Sequence, residues 1–227
     1  MATQFVKLEK EGLIGFVIFD RPPANAYNLD LLKDLDAVIE QVRDDAEVRV
    51  MILRGNNRFF SAGADIKSFT GMTPEELTRF ALFGHETVCK LERLPQVVIA
   101  AIEGHAMGGG LEMALACDFR FMARGPARLA VPEVNLGAVP NMGGTQRLPR
   151  LIGKSRALEM LITGKQVDAE EALAIGLVDR VYEPQELLPK TVEFAQQLAR
   201  GPALTIAMIK KCVNEGLETS LAVGLAL

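Results

Sequence analysis

The segment Gly104-His105-Ala106-Met107-Gly108-Gly109-Gly110-Leu111-Glu112 holds the residues best suited to chemistry. It follows a continuous apolar run, Val97 to Ile102, and leads into an apolar helical pattern from Leu111 to Cys117. That order reads as buried strand, glycine turn and helix opening. Backbone N–H groups at a helix start have no partner inside the helix. They bind either a phosphate or the negative oxygen that develops in carbonyl chemistry. The turn lacks the Gly-Lys-Ser/Thr ending of a P-loop, and Gly104, Gly108 and Gly109 are set too widely for a dinucleotide fingerprint. Three glycines by themselves also serve simply to let a helix pack closely on a sheet.

Two further features bear on that choice. Phe59-Phe60-Ser61-Ala62-Gly63-Ala64-Asp65-Ile66-Lys67 is a second small-residue turn after a strand. It offers another backbone N–H near Ala64, with Asp65 placed to cap a short helix. Two acidic residues also stand in unusual settings. Glu112 lies three residues after Gly109, on the same helical face. Glu133 sits in Ala130-Val131-Pro132-Glu133-Val134-Asn135-Leu136, an otherwise apolar stretch. A carboxylate in apolar surroundings is costly unless used or paired. Taken singly, each glutamate also reads as a cap, an ion-pair partner or a solvated charge. Ser61 lies in no G-x-S-x-G elbow and has no evident His and Asp partners, which argues against serine hydrolysis.

The elements that must position these residues follow from periodicity. Val6–Leu8 and Ile14–Phe19 flank Glu11-Gly12 as a hairpin. Arg21-Pro22-Pro23-Ala24-Asn25 is a loop. Leu32, Leu35, Val38, Ile39 and Val42 mark one face of a helix over 29–42. Val48–Leu53 reads as a short strand closed by Gly55-Asn56-Asn57. Thr73 caps a helix running from Pro74 to about Arg93. Phe119–Ala123 and Val178–Tyr182 read as further strands, helices dominate from Gly143 on, and Leu217–Leu227 reads as helix. Strands alternating with helices predict an α/β core with parallel strands. The helix at Leu227 stops without a cap or polar tail, so the chain is expected to be partial.

The chain has 227 residues, a formal net charge of −4 and 49% hydrophobic residues, enough for a sizeable core. No segment approaches the roughly 18 uninterrupted apolar residues of a membrane helix. The N-terminus lacks the pattern of a secretory signal. Three separated cysteines, Cys89, Cys117 and Cys212, fit reduced thiols and a cytoplasmic location rather than a disulfide framework. Two histidines, His85 and His105, are too few for a multi-histidine metal site. His105 is expected to serve the turn by packing, and His85 to lie on a helix surface. The acidic balance gives no general attraction to nucleic acid.

Taken together, four motifs resemble the crotonase family, and within it the enoyl-CoA hydratases. They are Phe60 to Lys67, Gly104 to Glu112, Pro132-Glu133-Val134-Asn135-Leu136-Gly137, and Gly143-Gly144-Thr145-Gln146-Arg147-Leu148. The resemblance runs from about Ile14 to the end of the chain. It implies an α/β fold, a spiral of ββα turns with a C-terminal helical trimerisation region. On this reading 1–195 form the core with the CoA-thioester site, and 196–227 form a C-terminal helical region that is incomplete. It implies an acyl-CoA thioester substrate, no separate cofactor, no metal, no membrane, and a homotrimer or dimer of trimers. The thioester oxygen is expected between the backbone N–H groups of Ala64 and Gly109. Ala62, Ala64, Asp65, Ile66, Lys67 and Gly109 match positions that contact CoA, and Glu112 and Glu133 match the two hydratase glutamates.

The implied reaction is reversible addition of water across the 2,3 double bond of a 2-enoyl-CoA, giving a 3-hydroxyacyl-CoA. The helix dipole is expected to keep Glu112 anionic as the base acting on water. Val131, Val134 and Leu136 around Glu133 favour its neutral form, as the acid serving C2. Phe69, Met72, Phe80, Phe83 and Met107 are candidates for the acyl tunnel or for core. One departure from the family is Pro140-Asn141-Met142-Gly143-Gly144, where hydratases usually carry Pro-Gly-x-Gly-Gly. Asn141 is expected to tolerate a left-handed backbone there. The nearest rival is an enoyl-CoA isomerase or another crotonase-type enzyme. A rival of another class is an RNA-binding protein on the same scaffold, citing Arg147, Arg150, Lys154 and Arg156. Charge and aromatic content argue against that rival.

Overall fold

A computed structural model describes residues 3–55 and 58–227. The first two residues and the Asn56-Asn57 part of the expected turn lie outside the described residues. The hairpin forms as β1 (Val6–Glu11) and β2 (Ile14–Phe19), paired antiparallel around Gly12. Helix α1 (Leu29–Asp44) starts where the Asn28 side chain accepts from the Leu31 N–H. It buries Leu31, Leu32, Leu35, Val38, Ile39 and Val42, the stripe that the 3.6-residue period requires.

Three ββα turns follow. In the first, β3 (Val50–Arg54) and β4 (Phe59–Ser61) precede α2 (Pro74–Glu92). Thr73 and Glu76 form a reciprocal capping box at the start of α2. In the second, β5 (Val97–Ile102) and β6 (His105–Met107) precede α3 (Gly109–Leu115). In the third, β7 (Phe119–Ala123) and β8 (Leu129–Ala130) precede a 3-10 turn (Glu133–Leu136) and α4 (Gly144–Ile152). The chain continues through α5 (Lys154–Thr163), α6 (Ala169–Ala174), β9 (Arg180–Tyr182), α7 (Pro184–Ala199), α8 (Ala203–Leu217) and α9 (Leu221–Gly224).

The first strand of each turn joins one sheet, ordered β1-β2-β3-β5-β7-β9, parallel from β2 onward. The second strands form a small parallel sheet, β4-β6-β8. A larger core lies on one side of the main sheet, under α1, α2 and α3. A second core on its other face is covered by Leu187, Ala195 and Ala199 of α7.

The small sheet departs from the sequence reading, which ran directly from a strand into the glycine turn. Gly104 instead separates β5 from β6. A Cβ on Gly104 would fall 1.9 Å from the Arg58 carbonyl oxygen, so only glycine lets β6 pass beside β4. The apolar run at Val48 enters the sheet only at Val50. The C-terminal run Leu217–Leu227 is not one helix. Helix α8 ends at Leu217, and Ser220 caps the separate α9. Among the described residues, no helix is long and apolar enough to cross a membrane.

Candidate active site

The β6 strand delivers Gly108, whose backbone (φ +53, ψ −129) suits glycine and aims the chain into α3. The Gly108 N–H donates to the Ala130 carbonyl (2.9 Å), and the Glu112 N–H donates back to the Gly108 carbonyl (3.0 Å). The next N–H, on Gly109, has no acceptor among the described residues.

A second such donor sits on the loop after β4. Tyr27 and Ala64 form an isolated parallel bridge. The Tyr27 N–H donates to the Gly63 carbonyl and the Asp65 N–H to the Tyr27 carbonyl, both at 2.8 Å. This pattern uses the neighbours of Ala64 and leaves its own N–H without an acceptor among the described residues. The two loops touch through glycines. A Cβ on Gly63 would lie 2.7 Å from the Met107 carbonyl oxygen, and one on Gly110 would lie 2.6 Å from that of Ser61.

The carboxyls converge on the same turn. Glu112 is 1% exposed. Its Oε1 accepts from the N–H groups of Met142 (2.9 Å) and Gly144 (2.7 Å), so the Pro140–Gly144 turn holds it. Glu133 approaches from the 3-10 turn, and its Oε1 would lie 2.7 Å from a Cβ on Gly108. Its Oε2 is buried without a hydrogen-bond partner among the described residues. An unpartnered buried carboxyl oxygen is costly and calls for an explanation.

Burial pushes the Glu112 carboxyl up to about 7; the Gly144 and Met142 N–H groups oppose that rise, and the Glu133 charge adds to it. Burial also raises Glu133. Both carboxyls are thus raised, so the environment separates them less than the sequence reading expected. Desolvation opposes the helix start at Glu112, so its acid and base forms are close to balanced at neutral pH. The apolar bracket expected around Glu133 is one-sided, with Val131 buried but Val134 and Leu136 39% and 63% exposed, and burial still favours the neutral form as expected.

Other expected residues distribute as follows. Asp65 precedes the 3-10 turn Ile66–Phe69 but makes no side-chain cap. Its carboxylate pairs with Arg21 instead (2.8 Å), while Arg21 also donates to the Ala26 carbonyl (2.6 Å). The Ala62 N–H is committed to the Ala24 carbonyl. Ile66 and Lys67 are exposed beside the Ala64 donor. Asn141 is not left-handed; Gly143 carries the positive φ of that turn (+105). The Met142 side chain is fully buried toward Gly84 and Leu32. Phe80 is buried and Phe69 meets it edge-on (centroids 5.1 Å apart).

His105 Nδ1 accepts from the Arg128 N–H (3.1 Å), and its ring packs on Phe59 (5.2 Å). That is the expected packing role. His85 is exposed on α2. The basic cluster is divided: Arg147 turns inward to Glu92 (2.7 Å), and Arg150 meets Glu218 (3.4 Å).

Sequence reasoning missed two participants. Arg147 donates to the Met142 carbonyl (2.7 Å), bracing the turn that holds Glu112. Tyr27, 4% exposed, lays its ring edge on Gly109, where a Cβ would be 2.3 Å from the phenol oxygen. Its available signal was its place in Asn25-Ala26-Tyr27-Asn28, just after a proline loop.

This geometry can polarise a carbonyl by two backbone donors and move protons by two carboxyls. Many known proteins are similar to this chain in sequence and fold. The profile of the family described as Enoyl-CoA hydratase/isomerase matches residues 9–227. The short-chain-enoyl-CoA hydratase of Clostridium acetobutylicum is 41% identical over all of this chain and 87% of its own length. The crotonyl-CoA hydratase of Syntrophomonas wolfei is 39% identical over 97% of this chain and 85% of its own. A crystal structure of an enoyl-CoA hydratase from Geobacillus kaustophilus superposes with a TM-score of 0.96 at 43% identity, covering 100% of this chain and 86% of that one. A profile match over nearly the whole length, together with full-length relatives near 40% identity, establishes that this chain belongs to the enoyl-CoA hydratase/isomerase family.

Proposed function

We propose that the protein is an enoyl-CoA hydratase acting on short 2-enoyl-CoA thioesters. The observation that carries this reading is the meeting of Glu112 and Glu133 at the turn that presents the free Gly109 N–H. The names of the two relatives above support the substrate class and the short chain.

In this reading the thioester oxygen lies on the N–H groups of Ala64 and Gly109. Water loses a proton to Glu112 as its oxygen bonds to C3. The π electrons of C2=C3 shift, and negative charge gathers on the thioester oxygen. Two aimed donors stabilise that enolate, each contributing on the order of 3 kcal/mol. Glu133 then supplies the proton that forms the C2–H bond. The Met142 and Gly144 N–H groups fix Oε1 of Glu112, which leaves Oε2 for the water. A carboxyl near 7 is well matched to accept a proton at neutral pH. The two carboxyls titrate as a pair, so the division of acid from base belongs to the pair's preferred microstate.

The loop from Ala62 to Lys67 carries the CoA moiety, with Lys67 facing its phosphates and Asp65 and Ile66 beside it. No cofactor beyond that CoA enters these steps. The C-terminal region from 196 serves contacts within a trimer, and the three free thiols suit the cytoplasm.

The test is hydration across enoyl-CoA chain lengths, followed by loss of conjugated absorbance. The expected result is turnover that is greatest at four carbons. Absence of hydration at every length, with migration of a 3-enoyl double bond instead, would replace this reading by the isomerase one.

A further inference from the structure

Tyr27 is unlike the other aromatic residues near the site. Its ring is more than nine-tenths buried, stacked parallel to Phe80 (6.1 Å, 9°), and backed through Phe80 by Phe69. Its main chain makes the bridge that exposes the Ala64 N–H, and its ring edge and hydroxyl lie on Gly109. One residue therefore touches both donor loops. Its hydroxyl oxygen is not among the fully buried unpartnered atoms, so it keeps access to the space beside Gly109. A phenylalanine would fill the same space, so what the tyrosine adds is a reachable hydroxyl, on an otherwise buried ring, that can donate to a bound acceptor.

We propose that the Tyr27 hydroxyl is a third hydrogen-bond donor to the thioester oxygen, completing the oxyanion site formed by Ala64 and Gly109. The proposal rests on the acyl-CoA reading above. It requires the phenol to stay protonated. Burial and the nearby charges of Glu112 and Glu133 hold it so, well above the ordinary tyrosine range. A neutral phenol here can only help by donating. The acceptor it meets is the oxygen that gains charge in the transition state, so its effect belongs in kcat rather than in KM.

Tyr27→Phe tests this directly, because it removes one oxygen and keeps the stacked ring. With crotonyl-CoA, kcat should fall about 10–100-fold while KM stays within about threefold. A second readout uses acetoacetyl-CoA, whose acidic C2–H lets it bind as an enolate absorbing in the near ultraviolet. Wild-type protein should enrich that enolate, and Tyr27→Phe should lower the enolate-to-ketone ratio roughly tenfold. Unchanged kcat and unchanged enolate absorbance overturn the proposal. So does a loss confined to KM, or a displaced pH–rate limb with normal enolate absorbance, which would make Tyr27 a tuner of the carboxyls. Wild-type protein that fails to hydrate crotonyl-CoA overturns the hydratase reading instead. The enolate ratio then still decides Tyr27.

Discussion

Glu112 is held between opposing influences: burial favours its acid form, and two backbone N–H groups favour its anion. With the carboxyl at about 7, the rate of hydration should climb as pH rises through 7 and the base form accumulates. Glu112→Gln should remove that limb from the pH–rate profile. The same shift has a stability consequence of definite sign. The unfolded chain gives up this proton near the ordinary 4.5, and the folded chain holds it to about 7. Between those values the folded state binds more protons, so stability falls as pH rises through that window. Glu112→Gln keeps an acceptor for Met142 and Gly144 and removes the penalty. It should be more stable than wild type at pH 8, by roughly 3 kcal/mol, and equal it near pH 4. Calorimetry at both pH values checks this; an advantage that persists at low pH contradicts it. Residues whose role depends on local sequence were legible in advance: the glycine turn, the carboxyl one turn on, the small loop at Ala64. Tyr27, Arg147 and Arg21 were not, because chain remote in sequence brings them to the site.

At the scale of elements, the site depends on two loops pressed together by the small sheet. That sheet was illegible because β6 and β8 have three and two residues, too few to show alternation. The long elements were legible, since α1 and α2 carry full periods and clear caps and β5 is a continuous apolar run. The Arg21–Asp65 pair joins the loop before α1 to the loop carrying Ala64. Asp65→Ala should free that loop. The melting point should fall by a few degrees and kcat/KM for crotonyl-CoA by about tenfold, for a partly buried guanidinium losing its carboxylate acceptor. Stopped-flow rates and thermal melting measure both. Unchanged kcat/KM would mean the Ala64 donor is positioned by its bridge to Tyr27 alone.

At the scale of the molecule, many of the apolar residues left on the surface fall in two groups. Val134, Leu136 and Val139 cluster after Glu133, while Leu204, Met208, Ile209, Val213 and Leu217 share α8, with Leu221 and Leu225 in and just after α9. Such surface suits the contacts between chains proposed above. Sedimentation equilibrium should find the mass of three chains or of six, and a monomer at micromolar concentration would contradict the proposed assembly. The central claim, however, is that Glu112 and Glu133 act together on one substrate held by the Gly109 turn. Its most direct test is the rate of crotonyl-CoA hydration by wild type, Glu112→Gln and Glu133→Gln under identical conditions. Each replacement should lower kcat by about 100-fold or more while the protein stays folded. Near-normal hydration by both variants would contradict it.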